Sequence, residues 1–330
     1  MTRAADGSRE PALLVEATRR TTIPDGDEVV ESRHHGHVAV VGPDAHLIAS
    51  LGDPERPTFV RSAVKPFQAT AALELAGDPE LPDDEVAVAW SSHRGEPFHL
   101  ATVAALCQRA DITPEQLTTP PATPFGAPGA TPSRIAHNCS GKHALFALAG
   151  RAVGCPHERL LDVHAALQEH VLGVLAEALG PASAVAVDGC GAPAVQIGLD
   201  RLAAGFRALA VEERYARVRR AGLAHPTMVG GSGEPESALL REGVLAKPGA
   251  ESVFAAGWVD DDGSSWGVAL KVEDGSPRAA GVALVGLLTG AGVVPDDVWS
   301  PPPVLGGGRP AGRLRPSEAL TRFAVELLAG

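Results

Sequence analysis

The sequence predicts an α/β protein of the α+β kind: an antiparallel sheet built from both ends of the chain and packed on helices, with a mainly helical middle lobe. Three observations carry this. Near the N-terminus, "HVAVVGPDAHLIASLGD" alternates apolar and polar residues on both sides of a Pro43-Asp44 turn, the pattern of a β-hairpin. Toward the other end, "AESVFAAGWVDDDGSSWGVALKVEDG" repeats the design, with two β-rich runs around an acidic Gly/Ser turn. Between the hairpins helical periodicity dominates, with segments near 63–76, 96–109, 142–152, 158–179 and 200–222.

Taken in order, "RHHGH" (Arg33 to His37) enters the first hairpin and reads as a polar rim on a strand. The first helix is anchored by Pro66, which has no N–H to donate and fits only the opening turn. "EVAVAW" and "SAVAVDG" read as short strands, each leading into unusual residues. The proline clusters "TTPPATPFGAPGATPS" and "WSPPPVLGGGRPAG" read as loops. Residues 1–330 are expected to form a single catalytic unit. Residues 12–92 and 244–330 form its sheet-containing lobe and 93–243 its helical lobe.

Hydrophobic residues at 45% and charged residues at 21% place the chain among globular proteins and not disordered ones. A formal charge of -12 argues against nucleic acid and anionic lipid as partners. The longest apolar run, "AAGVALVGLLTGAGVV", is too short and too glycine-broken to span a membrane. Cys107, Cys139, Cys155 and Cys190 form no CxxC and no dense framework, which suits a reducing, cytoplasmic setting. Cys107 and Cys155 lie in apolar helical contexts and are expected in the core. "VDDDG" (Val259 to Gly263) lacks EF-hand spacing and reads as a solvated turn.

"RSAVKPF" (Arg61 to Phe67) holds Ser62 and Lys65 three apart at a helix start. A serine hydroxyl needs a proton acceptor to become a nucleophile, and a lysine one turn away can serve when it is uncharged. A serine there is also an ordinary helix cap. "LAKPGAE" adds Lys247 beside the C-terminal hairpin, where serine β-lactamases and penicillin-binding proteins place a K[ST]G strand; here Pro248 replaces the Ser or Thr. "WSSHRGE" offers Ser91 and Ser92 as a further hydroxyl.

"HNCSGKH" and "VDGCGAP" each set a cysteine among small residues. Cys139 and Cys190, with one nitrogen from Lys142, His143 or His137, match a three-ligand zinc centre with an open position. Histidine is the orthodox nitrogen donor, and lysine must lose its proton to bind. Two inert buried thiols are the plain alternative.

Together, "ESRHHGHVAVV", "RPTFVRSAVKPFQ", "SSHRGEPFH", "HNCSGKHALF", "DGCGAP" and "AKPGAE" resemble, in that order, the asparaginase II family, the rhizobial-type third class of L-asparaginases. The likeness runs from about Val15 to Arg315. It implies a serine β-lactamase/glutaminase-like fold, a homodimer, and hydrolysis of L-asparagine to L-aspartate and ammonia. Matched string by string, it implies Ser62, Lys65, Ser92 and Lys247 as catalytic residues, with Ser91 the alternative register for Ser92. It implies Cys139, Lys142 and Cys190 as ligands of Zn2+, and Arg61, Asp188 and His143 around the substrate. Ser252 stands where the family has glycine, "HPTMVGGSGEPES" lacks an arginine after its glycines, and the stretch from Asp188 to Lys247 is short; these departures bear on substrate preference. A glutaminase or other small-amide hydrolase, and a non-catalytic amino-acid-binding protein on the same scaffold, are the alternative readings.

Overall fold

The computed structural model describes residues 9–23, 25–77 and 80–328. Its strands are β1 (Ala12–Thr22), β2 (Asp25–Val41), β3 (Leu47–Leu51), β4 (Thr58–Phe59), β5 (Ala184–Val187), β6 (Pro193–Ile197), β7 (Leu245–Gly249), β8 (Val253–Val259), β9 (Ser265–Val272), β10 (Val304–Gly306) and β11 (Arg309–Pro316). The helices are α1 (Lys65–Leu75), α2 (Asp83–Ala89), α3 (Pro97–Arg109), α4 (Ser140–Ala152), α5 (Ala166–Leu179), α6 (Leu199–Val211), α7 (Ala216–Ala224), α8 (Pro226–Val229), α9 (Pro235–Arg241), α10 (Pro277–Gly290) and α11 (Glu318–Leu328). The chain is mixed α/β, and it divides into two compact units.

The sheet unit takes the described residues up to Thr58, Gly198–Arg207, and those from Ala246 onward. Its strands run in the order β10-β11-β1-β2-β9-β8-β7, with β3 also paired to β2. The pairs β1–β2, β2–β9, β8–β9 and β1–β11 are antiparallel, so both chain ends contribute, as the two hairpins predicted. Helices α10 and α11 lie against this sheet, while Ala203 and Phe206 of α6 meet the backbone of β9 and β8 at Gly267 and Gly257. Cover of this kind explains why Val253 to Trp258 are buried at every position instead of alternating. The long apolar run predicted not to span a membrane supplies α10, and among the described residues no helix is long and apolar enough to cross one.

Three readings change here. "RHHGH" lies inside the 17-residue β2, and His34 and His37 are buried instead of forming a rim. His34 Nδ1 pairs with Asp274 at 2.6 Å, and His37 Nε2 with Glu273 at 3.0 Å, both partners supplied from far along the chain. The stretch "VLGGGRPAG" is a hairpin and not a loop: β10 and β11 are joined by Gly307 and Gly308 with φ of 57° and 75°. That two-residue, left-handed turn is the type that matches strand twist. Lys247 lies within β7, an edge strand in which Pro248 is tolerated because one side of the ladder is open.

The helical unit takes Phe59–Ile197 and Ala208–Leu245, so Phe59 to Ser92 fall within it. It also holds a small sheet in the order β4-β6-β5. Here "EVAVAW" is helical: α2 buries Val86, Val88, Ala87 and Ala89 on all sides, and Trp90 follows at 0% exposure. An apolar run buried all round has no face to show, so its apparent period of two carried no information. The segments near 158–179 and 200–222 are shorter than their periodicity suggested, since α5 starts only at Ala166 and a 3-10 turn at Glu213–Tyr215 separates α6 from α7. Cys155 sits half-buried in a turn after α4, and not in the core, whereas Cys107 is fully buried.

Candidate active site

Arg61 to Val64 form a 3-10 turn that passes directly into α1. Val60 N–H donates to Val195 O of β6 at 3.2 Å, fixing where the turn begins. Arg61 adopts φ of +49°, a left-handed conformation costing a non-glycine residue about 1–2 kcal/mol. Its Nε donates to Asp188 Oδ1 at 2.7 Å, and a charge-assisted bond of this kind contributes roughly 1.5–3 kcal/mol, enough to offset the strain.

Ser62 is 9% exposed. Among the described residues its hydroxyl has no hydrogen-bond partner and its N–H no acceptor. Lys65, the first residue of α1, is 1% exposed. Its Nζ donates to Ser91 O at 2.5 Å, Ser92 Oγ at 3.1 Å and Asn138 O at 3.4 Å. Three oxygens surround this nitrogen, which is what allows so polar a group to be buried. The hydroxyl paired to Lys65 is thus Ser92's and not Ser62's. Ser91 uses its own hydroxyl to bond Val88 O at 2.8 Å at the end of α2.

The second half of the site gathers around the start of α4. Gly141 sits where a Cβ would lie 2.2 Å from Val88 O, so only glycine lets α4 approach the α2 backbone this closely. Cys139 caps α4, and its N–H donates to His137 Nδ1 at 3.0 Å, which uses that ring nitrogen within the loop. Cys190 sits in a tight turn after β5, where Asp188 N–H donates to Ala192 O at 2.8 Å and Gly191 N–H to Asp188 O at 2.9 Å. Lys142 Nζ donates to Cys190 Sγ at 3.4 Å and lies over the Phe146 ring at 5.4 Å.

Charge orders this cluster. A hydrogen bond from Cys190 and the nearby Lys65 and Lys142 amines together outweigh burial and hold the Cys139 thiol well below its ordinary range. Burial works against a charged Lys142, but the two thiols and Asp188 outweigh it and raise the amine. Asp188 stays below the usual carboxylate range, because Arg61 and Lys142 overcome its desolvation. Desolvation pushes His143 down to about 4; its Nδ1 pairs with Thr118 Oγ1 at 2.6 Å, and its buried Nε2 makes no well-formed hydrogen bond although Cys190 lies nearby.

Nine of the ten residues singled out in the sequence lie in the helical unit, and seven of them form three groupings, Lys65 with Ser92, Lys142 with both cysteines, and Arg61 with Asp188. Lys247, fully buried on β7, belongs to the sheet unit and donates to Pro248 O at 3.0 Å. Two thiols and an adjoining amine suit a thiophilic divalent ion. Among the described residues no group of three or more His, Cys, Asp or Glu is placed to hold a metal, so any ion here depends on the lysine. The sequence reading missed Asn138, whose carbonyl meets Lys65, along with Thr118 and His93. His93 stood in the quoted "SSHRGE", but backbone and hydroxyl partners from distant segments left no signal in sequence.

The L-asparaginase II family matches residues 25–316. No curated protein matches the chain.

Proposed function

This chain belongs to the L-asparaginase II family, and on that premise we propose that it hydrolyses the side-chain amide of L-asparagine to L-aspartate and ammonia through a serine ester. Family membership makes it an amide hydrolase with a small-molecule substrate. The observation that supports the serine route is Lys65, an amine enclosed by oxygens at a helix start, bonded to one hydroxyl and three residues from another.

In the proposed cycle Ser62 Oγ attacks the amide carbon while its proton passes to uncharged Lys65. Lys65 then protonates the leaving nitrogen, which departs as ammonia. Water adds to the aspartyl ester, giving up a proton to Lys65, and Ser62 leaves carrying that proton. The Ser62 N–H would donate to the oxyanion, a contribution on the order of 3 kcal/mol. The Arg61–Asp188 pair suits an amino-acid zwitterion, whose α-carboxylate and α-ammonium can exchange for the two partners without changing the net charge. His143 lies one residue beyond Lys142 and is assigned to the same pocket. Lys247 enters this reading on its sequence context alone, and the homodimer on the family resemblance alone.

Cys139, Cys190 and Lys142 would hold Zn2+, which when bound supplies a fixed Lewis-acidic charge beside Asp188. One observation favours a second reading of the serines: Lys65 contacts Ser92, so Ser92 either relays the proton or is itself the nucleophile. Ammonia release from asparagine, glutamine and a β-lactam tests the function. Release from asparagine alone is expected; release from glutamine at equal or higher kcat/KM would make this a glutaminase, and none from any of them would make it a binding protein.

A further inference from the structure

His93 follows Ser92 directly and is 0% exposed, yet nothing in the proposed cycle uses it. Both its ring nitrogens are occupied. Nδ1 accepts the Gly95 N–H at 3.1 Å, so the proton of the neutral ring must sit on Nε2. From there it points at Ser140 Oγ, 2.8 Å away, and the Ser140 hydroxyl donates onward to Ile135 O at 2.8 Å. Each bond has one donor and one acceptor, which leaves the ring a single tautomer and a single orientation. His99 stacks on one face of the ring at 5.2 Å.

The two ends of this chain of bonds matter. One is the segment carrying Ser91 and Ser92; the other is the first residue of α4, between Cys139 and Lys142. Lys65 Nζ bridges the same two segments, bonding Ser91 O and Ser92 Oγ on one side and Asn138 O on the other. The distance between those acceptors therefore depends on a second link running beside the amine. We propose that His93 is a positioning residue, a neutral strut that, through Ser140, sets the dimensions of the oxygen cage around Lys65 and so the alignment of the Lys65–Ser92 pair. The link to catalysis rests on the proposed amide hydrolysis; the strut itself does not.

The test uses the full-length protein with His93→Gln, His93→Asn and Ser140→Ala. A glutamine amide can still reach Ser140 from this backbone position, whereas an asparagine amide is too short and keeps only the Gly95 side. Two quantities are followed: kcat and KM for ammonia release from asparagine, and the rate at which trinitrobenzenesulfonate modifies Lys65, read by peptide mass spectrometry. His93→Asn and Ser140→Ala are expected to lower kcat at least tenfold, leave KM within about threefold, and speed Lys65 modification at least fivefold. His93→Gln is expected to stay within about threefold of wild type in both. Equal behaviour of the Gln and Asn variants, or unchanged Lys65 reactivity in all three, would overturn the strut. Should the wild type release no ammonia from asparagine, the proposed function falls, while the modification rates still decide the role of His93.

Discussion

Two lysines are buried at the beginnings of helices in the same unit, and their surroundings differ in kind. Lys65, 1% exposed, donates to three uncharged oxygens and shares the nearby Cys139 with Lys142. Lys142, 2% exposed, meets the Cys190 sulfur, with Cys139 and Asp188 close by. Burial of an amine therefore does not assign its role; what its partners do once the proton leaves does. At Lys65 a hydroxyl can turn from acceptor to donor, so the proton can travel. At Lys142 departure of the proton strands two sulfurs and a carboxylate unless another cation arrives, which is what a divalent ion does.

The largest expected effect separates the two directly. Lys65→Met should lower kcat by about 10³-fold with retained folding, the scale of a lost general base. Lys142→Met should lower it far less but abolish zinc retention after dialysis, measured by plasma mass spectrometry. Equal losses with equal zinc content would erase the distinction.

Acid stability sharpens the Lys142 side. His143 is held at about 4 in the folded protein, below its ordinary 6.5, so the unfolded chain binds more protons throughout that interval. The stability this contributes is present above pH 6.5 and lost as pH falls toward 4, an effect of roughly 3 kcal/mol. Denaturant titrations of metal-stripped protein should show the decline, and His143→Gln should flatten it; an unchanged slope would mean that the ring is not neutral and buried as described.

A smaller effect probes the packing that brings the two lysines together. Gly141→Ala forces a Cβ to within 2.2 Å of Val88 O, and overpacking of this sort costs about 1–3 kcal/mol. The thermal midpoint should drop by a few degrees, with kcat falling too, because α4 carries Lys142 while α2 leads to Ser91 and Ser92. The smallest signal is calorimetric. Zinc added to stripped protein should release protons, seen as a binding heat that changes with the buffer's protonation enthalpy; a buffer-independent heat would mean that Lys142 is not displaced as a donor.

Much of the local structure around the candidate site could be read in advance because its strings are local. "RSAVKPF" holds a serine, a lysine and a proline that only a helix start accommodates, and "HNCSGKH" holds a glycine that only close helix packing explains. What escaped was long-range. The partners of His34 and His37 lie 240 and 236 residues away, the Asn138 carbonyl that meets Lys65 lies 73 away, and backbone acceptors leave no mark on composition. Burial on every side hid α2 in the same way, since periodicity speaks only when one face is wet.

The most direct measurement is rapid quenching of the protein with L-asparagine, followed by peptide mass spectrometry of the covalent intermediate. An aspartyl ester, labile to hydroxylamine, is expected on the peptide containing Ser62, absent in Ser62→Ala and accumulating most slowly in Lys65→Met. An ester found only on Ser92 would exchange the roles of the two serines, and turnover by Ser62→Ala,Ser92→Ala with no ester on any residue would contradict the serine mechanism altogether.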